Sequence, residues 1–377
     1  MVAPPVPESH ELSSGLSDRR LDGFLPSATP LQLVAQSGIP VDSPLDMPAD
    51  DVLLDLYRRM VVGRRFDTQA TALTKQGRLA VYPSSRGQEA CEVGAIAALR
   101  PQDWLFPTYR DSVALITRGV DPIETLTLLR GDWHLGYDPY EHKVAPQCTP
   151  LATNTLHAVG LGHAARMKHE DTVALVLLGD GATSEGDTHE ALNFAAVWQS
   201  PVVFLVQNNG YAISVPLSKQ TAAPSLAHKG VGYGVPSMLV DGNDAAAVHV
   251  VVRDAVERAA SGGGPTLIEA LTYRIESHTN ADDAKRYRQD SEVTAWLARD
   301  PVDRLERLLI DRGLLDDDVR SSITTEAEAL AARVRDGMNI DVETDPAELF
   351  RHVYAQPTQQ LRAQAAMLAD ELDQEQA

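Results

Sequence analysis

Cysteine is scarce in this sequence: only Cys91 and Cys148 are present, and they lie far apart in the chain. Two such residues cannot build a disulfide framework or a four-cysteine zinc site, so we interpret them as reduced thiols. No apolar run approaches the roughly 18 residues that a membrane-spanning helix needs. The N-terminus also lacks the basic region and apolar stretch of a secretory signal. These absences favour a cytoplasmic protein without a membrane partner.

Positively charged residues are also scarce in this sequence. Lys and Arg number 33 against 53 Asp and Glu, which gives a formal net charge of −20. A nucleic-acid surface needs clustered cations, so this balance argues against a nucleic-acid partner, while a local cationic pocket for a small anion is compatible with it. The 377 residues suffice for one large α/β domain with appendages.

The chain divides into three parts by composition. Residues 1–46 form a predicted N-terminal arm that is partly flexible, because residues 1–30 combine five prolines with Ser, Asp and Gly and show little apolar periodicity. Residues 47–300 form a predicted α/β domain. Residues 301–377 are charged and carry leucines at helical spacing, which predicts a helical C-terminal extension.

The central part alternates between strand-like and helix-like patterns. Residues 172–178 and 201–207 are short, almost unbroken apolar runs, typical of strands buried on both faces. A helical segment at 188–198 separates them, so the three form a right-handed βαβ unit. Apolar segments at 237–240 and 266–271 extend a parallel sheet flanked by helices on both faces. Further helices are predicted at 50–66, 88–99, 111–118, 156–167 and 245–260.

Polar residues follow both strands of the βαβ unit. The first strand ends in Gly179-Asp180-Gly181, and the second is followed by Asn209 and Tyr211. Because ligands bind outside the carboxyl ends of parallel strands, the two loops face one crevice. The Asp180 carboxylate, the Asn209 amide oxygen and the Tyr211 carbonyl could together bind Mg²⁺ and leave positions for phosphate oxygens. A helix N-terminus after Gly181 would add backbone N–H groups.

Two other interpretations compete with a Mg²⁺–diphosphate site. One is a dinucleotide-binding loop of an NAD-dependent dehydrogenase, but the third glycine of that motif is replaced by Ser184. The second strand also ends in Gln207 and two asparagines rather than in an acidic residue for a ribose. The other interpretation is a purely structural turn, which would not require Asn209 on the neighbouring loop.

Residues 179–214, GDGATSEGDTHEALNFAAVWQSPVVFLVQNNGYAIS, resemble the thiamine diphosphate motif of the α subunits of 2-oxo acid dehydrogenases. The resemblance extends over residues 47–300 and implies the thiamine diphosphate-binding fold. It also implies that Asp180 and Asn209 are side-chain ligands of Mg²⁺ and that Tyr211 is a ligand through its carbonyl. Gly181 and Ala182 would lie against the diphosphate.

The same resemblance assigns upstream residues to the cofactor. Tyr109 and Arg110 match a segment that reaches the diphosphate, and the guanidinium fork suits phosphate oxygens. Gln207 stands where some relatives place an arginine on the diphosphate. Thr149 and Leu151 match contacts to the aminopyrimidine.

The segment around Thr149 also matches the K⁺ site of branched-chain enzymes. Cys148 and Asn154 replace the serine and glutamine found there in mammalian enzymes. Binding of K⁺ is therefore left open.

A polar loop follows the strand at 266–271 and contains His278, Asp282 and Asp283. A histidine there can donate a proton to a substrate or an intermediate, and the aspartates could orient the loop by pairing with Arg286 or Arg288. An isolated loop of this kind would more often be a solvated surface loop. The loop nevertheless resembles the active-site loop of the family, in which His278 matches the catalytic histidine and also contacts the cofactor.

The resemblance implies decarboxylation of a small 2-oxo acid and transfer of the acyl group to a lipoyl group on a separate E2 acyltransferase. The cofactor of this family lies between subunits, so an E1 β subunit and an α₂β₂ heterotetramer are expected. The loop and the VDGND sequence at 240–244 favour a branched-chain 2-oxo acid. A pyruvate or acetoin dehydrogenase α subunit and a non-catalytic paralogue that acts as a binding partner are the alternatives.

Overall fold

The computed structural model describes residues 23–341 and 345–376, so residues 1–22 of the predicted N-terminal arm lie outside the described residues. Within these residues, seven strands form two sheets. They are β1 (Trp104–Phe106), β2 (Ala174–Gly179), β3 (Val202–Asn208), β4 (Tyr211–Ala212), β5 (Val215–Pro216), β6 (Ser237–Asp241) and β7 (Thr266–Leu271). Five of them form a parallel sheet in the order β1-β2-β3-β7-β6, and β4 and β5 form a small antiparallel ribbon.

The described residues also contain fourteen α-helices. In chain order they are α1 (Asp50–Lys75), α2 (Glu89–Ala97), α3 (Ser112–Arg118), α4 (Pro122–Arg130), α5 (Pro139–His142), α6 (Thr153–Lys168), α7 (Gly186–Trp198), α8 (His228–Gly232), α9 (Ala245–Arg258), α10 (Asp290–Leu297), α11 (Pro301–Asp311), α12 (Asp317–Met338), α13 (Glu348–Arg351) and α14 (Gln359–Gln376). No helix in the described part of the chain is long and apolar enough to cross a bilayer.

The two faces of the sheet carry alternate side chains of the buried strands. Val176 of β2 and Phe204 of β3 pack against α6 and α7 in one apolar cluster. Helix α9 contacts β3, β6 and β7 and also packs on α2. Strands whose residues are apolar on both faces require this arrangement. The predicted α/β fold, a parallel sheet covered by helices, is confirmed.

The boundaries of several strands and helices differ from the predicted ones. Strand β1 was not predicted because three residues give no periodicity; it is held in place by pairing from Trp104↔Ala174 to Phe106↔Val176. Helix α1 continues to Lys75, beyond the predicted end at residue 66. A four-residue 3₁₀ turn, Gly181–Ser184, follows β2, and α7 begins only at Gly186. The helical segment expected after Gly181 is therefore divided between this 3₁₀ turn and α7.

Part of the N-terminal arm is attached to the edge of the sheet. The Leu31 N–H donates to the Leu239 carbonyl at 2.9 Å, and Leu31 pairs in parallel with Val240. The N–H groups of Leu33 and Val34 both donate to Oδ2 of Asp244 at 2.8 Å. These bonds extend the sheet by a short segment beyond β6.

Arg304 of α11 connects this segment to the sheet. Its side chain is almost fully buried and donates to Asp241 at 2.8 Å and to Asp244 at 3.3 Å. Its Nε also donates to the Val34 carbonyl at 3.0 Å. One buried cation therefore joins α11, the end of β6, the start of α9 and the N-terminal segment.

The division of the chain at residues 46/47 and 300/301 stays a prediction. Contacts between Cα atoms group the chain into one unit that ends at Arg335 and a second unit, Asp336–Ala377. The first contains the parallel sheet. The described part of the second contains α13 and α14.

The buried position of Arg304 gives a testable prediction for stability. Arg304→Met should lower the free energy of unfolding by about 3–5 kcal/mol, because it leaves the buried Asp244 carboxylate without its cation. Arg312→Met is the matched control, since Arg312 pairs with the exposed Asp50 and should contribute at most about 1 kcal/mol. Urea denaturation of both variants checks this, and equal losses would contradict it.

Candidate active site

A cavity of about 560 Å³ lies at the carboxyl ends of β2, β3 and β7. Eleven of its lining residues are those that the sequence analysis assigned to metal, cofactor or catalysis. They are Tyr109, Arg110, Thr149, Leu151, Asp180, Gly181, Ala182, Gln207, Asn209, Tyr211 and His278. The structure therefore brings all of them to one cavity, while their individual roles stay predictions.

Oxygen atoms from two loops form one part of the cavity. Asp180 follows β2 and is only 1% exposed, and Asn209 follows β3 and is 7% exposed. Burial raises the pKa of the Asp180 carboxyl, and a hydrogen bond from Gln220 opposes this rise. The Nε2 of Gln220 lies 2.5 Å from Oδ2 of Asp180. No cluster of three His, Cys, Asp or Glu ligands exists among the described residues, so a cation here would also need amide and carbonyl oxygens.

A chain of buried amides determines which way Asn209 faces. Its Nδ2 donates to Oε1 of Gln88 at 3.0 Å, and Nε2 of Gln88 donates to Oε1 of Gln207 at 3.0 Å. Nε2 of Gln207 then donates to Oδ1 of Asp111 at 2.7 Å. Because a carboxylate can only accept, the donor and acceptor ends of all three side-chain amides in this series of hydrogen bonds are assigned. The oxygen of Asn209 accepts from the Tyr211 N–H at 3.3 Å and, unlike the nitrogen, keeps a lone pair that a cation could use.

Glycine at position 181 allows the two loops to approach each other. A Cβ atom added to Gly181 would lie 2.7 Å from the Cβ of Ala212 in β4. Any side chain would therefore separate the loop after β2 from the β4–β5 ribbon.

His278 lies between two arginines. Its Nδ1 is 3.1 Å from a terminal nitrogen of Arg110 and 3.1 Å from a terminal nitrogen of Arg274. Guanidinium groups only donate, so Nδ1 accepts and the proton of the neutral ring is on Nε2. Burial and these two cations lower the pKa of His278 to about 4. The histidine can therefore present an Nε2–H donor at neutral pH.

The loop around His278 is held by hydrogen bonds other than the expected ion pairs. Asp282 accepts from the His278 N–H at 2.8 Å and from the Tyr287 hydroxyl. Arg288 donates to the carbonyls of Arg274 and Ile275, each at 2.5 Å. The suggested pairing of Asp282 or Asp283 with Arg286 or Arg288 is thus replaced by an Asp282–Tyr287 contact.

The segment from Cys148 to Asn154 also borders the cavity. The thiol of Cys148 donates to the Pro150 carbonyl at 3.0 Å. The side-chain nitrogen of Asn154 donates to carbonyls of the neighbouring strands, including that of Leu177 at 2.9 Å. Asn154 therefore supports the end of β2, and K⁺ binding at this segment stays an open prediction.

Polar residues of the site that were not assigned from the sequence include Gln88, Asp111, Gln220 and Arg274. Gln88 and Gln220 carry no motif of their own, and only the folded chain brings them to Asn209 and Asp180. Arg274 lies in the predicted polar loop, where its spacing of four residues from His278 was a usable signal. Apolar residues also line the cavity, among them Val81, Leu128 and Leu129.

The sequence was compared with those of known proteins. The sequence model of the family described as dehydrogenase E1 component matches residues 57–339. The chain is 47% identical over 363 residues to the 3-methyl-2-oxobutanoate dehydrogenase subunit alpha of Mycobacterium tuberculosis, a match that covers 95% of this chain and 99% of that protein.

Pyruvate dehydrogenase E1 component subunits alpha are also similar. The protein from Acholeplasma laidlawii is 36% identical over 83% of this chain and 92% of its own length. The protein from Staphylococcus aureus is 38% identical over 78% of this chain and 80% of its own length. Since the family match covers most of the chain and several relatives exceed 30% identity, the chain belongs to the dehydrogenase E1 component family.

Proposed function

We propose that this chain is the α subunit of the E1 component of a branched-chain 2-oxo acid dehydrogenase complex. Its reaction is the oxidative decarboxylation of a 2-oxo acid with transfer of the acyl group to a lipoyl group on E2. The observation that carries this proposal is the cavity that joins Asp180 and Asn209 to Arg110 and His278. The nearly full-length similarity to a 3-methyl-2-oxobutanoate dehydrogenase subunit supports the choice of a branched substrate.

The site fits the cofactor of the family, which depends on thiamine diphosphate. One carboxylate oxygen of Asp180, the amide oxygen of Asn209 and the carbonyl of Tyr211 form the oxygen-only set that Mg²⁺ prefers. The 3₁₀ turn that begins at Gly181 can approach a diphosphate closely because Gly181 has no side chain. Tyr109, Thr149 and Leu151 line the same cavity and would contact the remainder of the cofactor.

The chain's own residues bind anions and hold a proton. When bound, thiamine diphosphate supplies the carbon nucleophile and the electron sink for decarboxylation. Arg110 and Arg274 provide guanidinium groups for phosphate or carboxylate oxygens. His278 keeps its proton on Nε2, where it can donate to the oxygen of a reacting oxo acid.

The α subunits of this family work with a β subunit and a lipoyl-bearing E2 acyltransferase. We extend the proposal to an α₂β₂ heterotetramer in the cytoplasm, with the cofactor between subunits. In enzymes of this family a glutamate of the β subunit activates the aminopyrimidine of the cofactor, so this chain would form half of the active site. If K⁺ binds, the segment at 148–154 is the position for it.

Asp180→Asn tests the metal ligand, because it removes the charge and keeps the size of the side chain. We expect it to abolish Mg²⁺-dependent binding of thiamine diphosphate, measured by calorimetry on the chain co-purified with its β subunit. Glu190→Gln, an exposed acid on α7, removes the same charge and should bind like the wild type. Wild-type affinity in Asp180→Asn would refute the assignment.

His278→Gln tests the proton donor. Cofactor affinity should stay nearly unchanged, while turnover falls by about 100- to 10,000-fold, the usual contribution of a positioned acid or base. His134→Gln replaces an exposed histidine that does not line the cavity and should retain activity. Unchanged rates of both decarboxylation and lipoyl acylation in His278→Gln would exclude a catalytic role.

The substrate is tested with the complex of this chain and its β subunit, supplied with Mg²⁺ and thiamine diphosphate. We expect a higher kcat/KM for 3-methyl-2-oxobutanoate than for pyruvate with an artificial electron acceptor. The reverse preference would favour a pyruvate dehydrogenase, in line with the similarity to those α subunits. No turnover of either acid by a confirmed complex would favour the non-catalytic alternative.

A further inference from the structure

Gln220 makes a direct hydrogen bond to the proposed metal ligand Asp180. Its Nε2 donates to Oδ2 of Asp180 at 2.5 Å and to the Val215 carbonyl at 3.0 Å. Both neighbours of this atom are acceptors, so only the NH₂ end of the amide can occupy the position. The orientation of the Gln220 amide is therefore determined by its surroundings.

The opposite end of the amide has no comparable constraint. Oε1 of Gln220 is buried and has no hydrogen-bond partner among the described residues. A buried amide oxygen without a partner costs about 1–3 kcal/mol. The side chain nevertheless holds this orientation, which indicates that its contacts with Asp180 and Val215 determine its position.

The chain segment that carries Gln220 is connected to the other proposed ligands. Gln220 directly follows the 3₁₀ turn Leu217–Lys219. The N–H of Leu217 donates at 3.0 Å to the carbonyl of Gly210, the residue between Asn209 and Tyr211. The short ribbon β4–β5, which begins at Tyr211, thus connects these ligands to the segment of Gln220.

We infer that Gln220 is a positioning residue of the metal site, which holds Oδ2 of Asp180 so that the carboxylate binds the cation through its other oxygen alone. This inference rests on the proposed function, in which Asp180 is a ligand of Mg²⁺. Coordination through one oxygen suits Mg²⁺, which requires near-octahedral geometry at short distances. Ca²⁺ accepts carboxylates through one or two oxygens and tolerates irregular geometry. Gln220 therefore contributes to selection of Mg²⁺ over Ca²⁺.

The test is a metal titration of the complex with its β subunit, read as thiamine diphosphate binding by calorimetry. In Gln220→Met the Mg²⁺ concentration for half-saturation should rise by about 10- to 100-fold, as for other residues that orient metal ligands. Thiamine diphosphate affinity at saturating Mg²⁺ should return to the wild-type value. The ratio of Ca²⁺-supported to Mg²⁺-supported binding should increase.

Two further variants separate positioning from folding. Gln220→Asn keeps the amide but is one methylene shorter, so it cannot reach Asp180 and should show the same shift in Mg²⁺ half-saturation. Ser218→Ala, an exposed residue of the same 3₁₀ turn, should behave like the wild type. Thermal unfolding of each variant reports on the fold.

Different results would overturn the inference about Gln220 and the proposed function. An unchanged Mg²⁺ half-saturation and metal preference in both Gln220 variants would overturn this inference and leave the proposed function standing. Weaker cofactor binding at every Mg²⁺ concentration, with a lower unfolding temperature, would also overturn it, since Gln220 would then act on the fold. A wild-type complex that binds no thiamine diphosphate with Mg²⁺ would overturn the proposed function as well.

Discussion

The buried chain of hydrogen bonds from Asn209 through Gln88 and Gln207 to Asp111 is the constraint on which the site depends. It joins the end of β3, the segment before α2 and the residue before α3, which are otherwise distant in the sequence. Because every member is at least 93% buried, rotating one amide would leave a polar group unpaired at a cost of about 1–3 kcal/mol. This series of hydrogen bonds thus fixes the orientation of the Asn209 amide before any ligand is present.

The cavity differs in charge from the rest of this acidic protein. The formal net charge is −20, yet Arg110 and Arg274 are both at least 95% buried beside His278. None of the hydrogen bonds described for the two guanidinium groups goes to a carboxylate; their acceptors are carbonyls, the Tyr287 hydroxyl and His278. Buried cations without anionic partners are unfavourable by themselves. In the proposed function, a bound diphosphate or carboxylate would bring negative charge to these two guanidinium groups.

The sequence predicted the position of a polar site residue where that residue directly follows a regular strand. Asp180 and Asn209 each follow a buried parallel strand. Because the carboxyl ends of parallel strands meet at one edge of the sheet, the sequence alone places both residues there. Gln220 could not be found in this way, because its contact with Asp180 depends on a turn between two-residue strands. Strand β1 is too short for periodicity, and the contact of Asp282 with Tyr287 depends on the loop conformation. The sequence therefore predicts the position of polar residues that directly follow regular strands, and it misses residues such as Gln220 whose contacts depend on the conformation of a turn.

The small number of carboxylates at the proposed metal site has a consequence for how ligands bind. Asp180 is the only acidic residue of the proposed ligand set, and Gln220 already occupies one of its oxygens. A divalent cation bound by one carboxylate, one amide and one carbonyl would keep a net positive charge and open coordination positions. Phosphate oxygens can both fill those positions and neutralise the charge. The same anion would compensate Arg110 and Arg274 across the cavity, so cation and diphosphate stabilise each other's binding, and neither is expected to bind well alone.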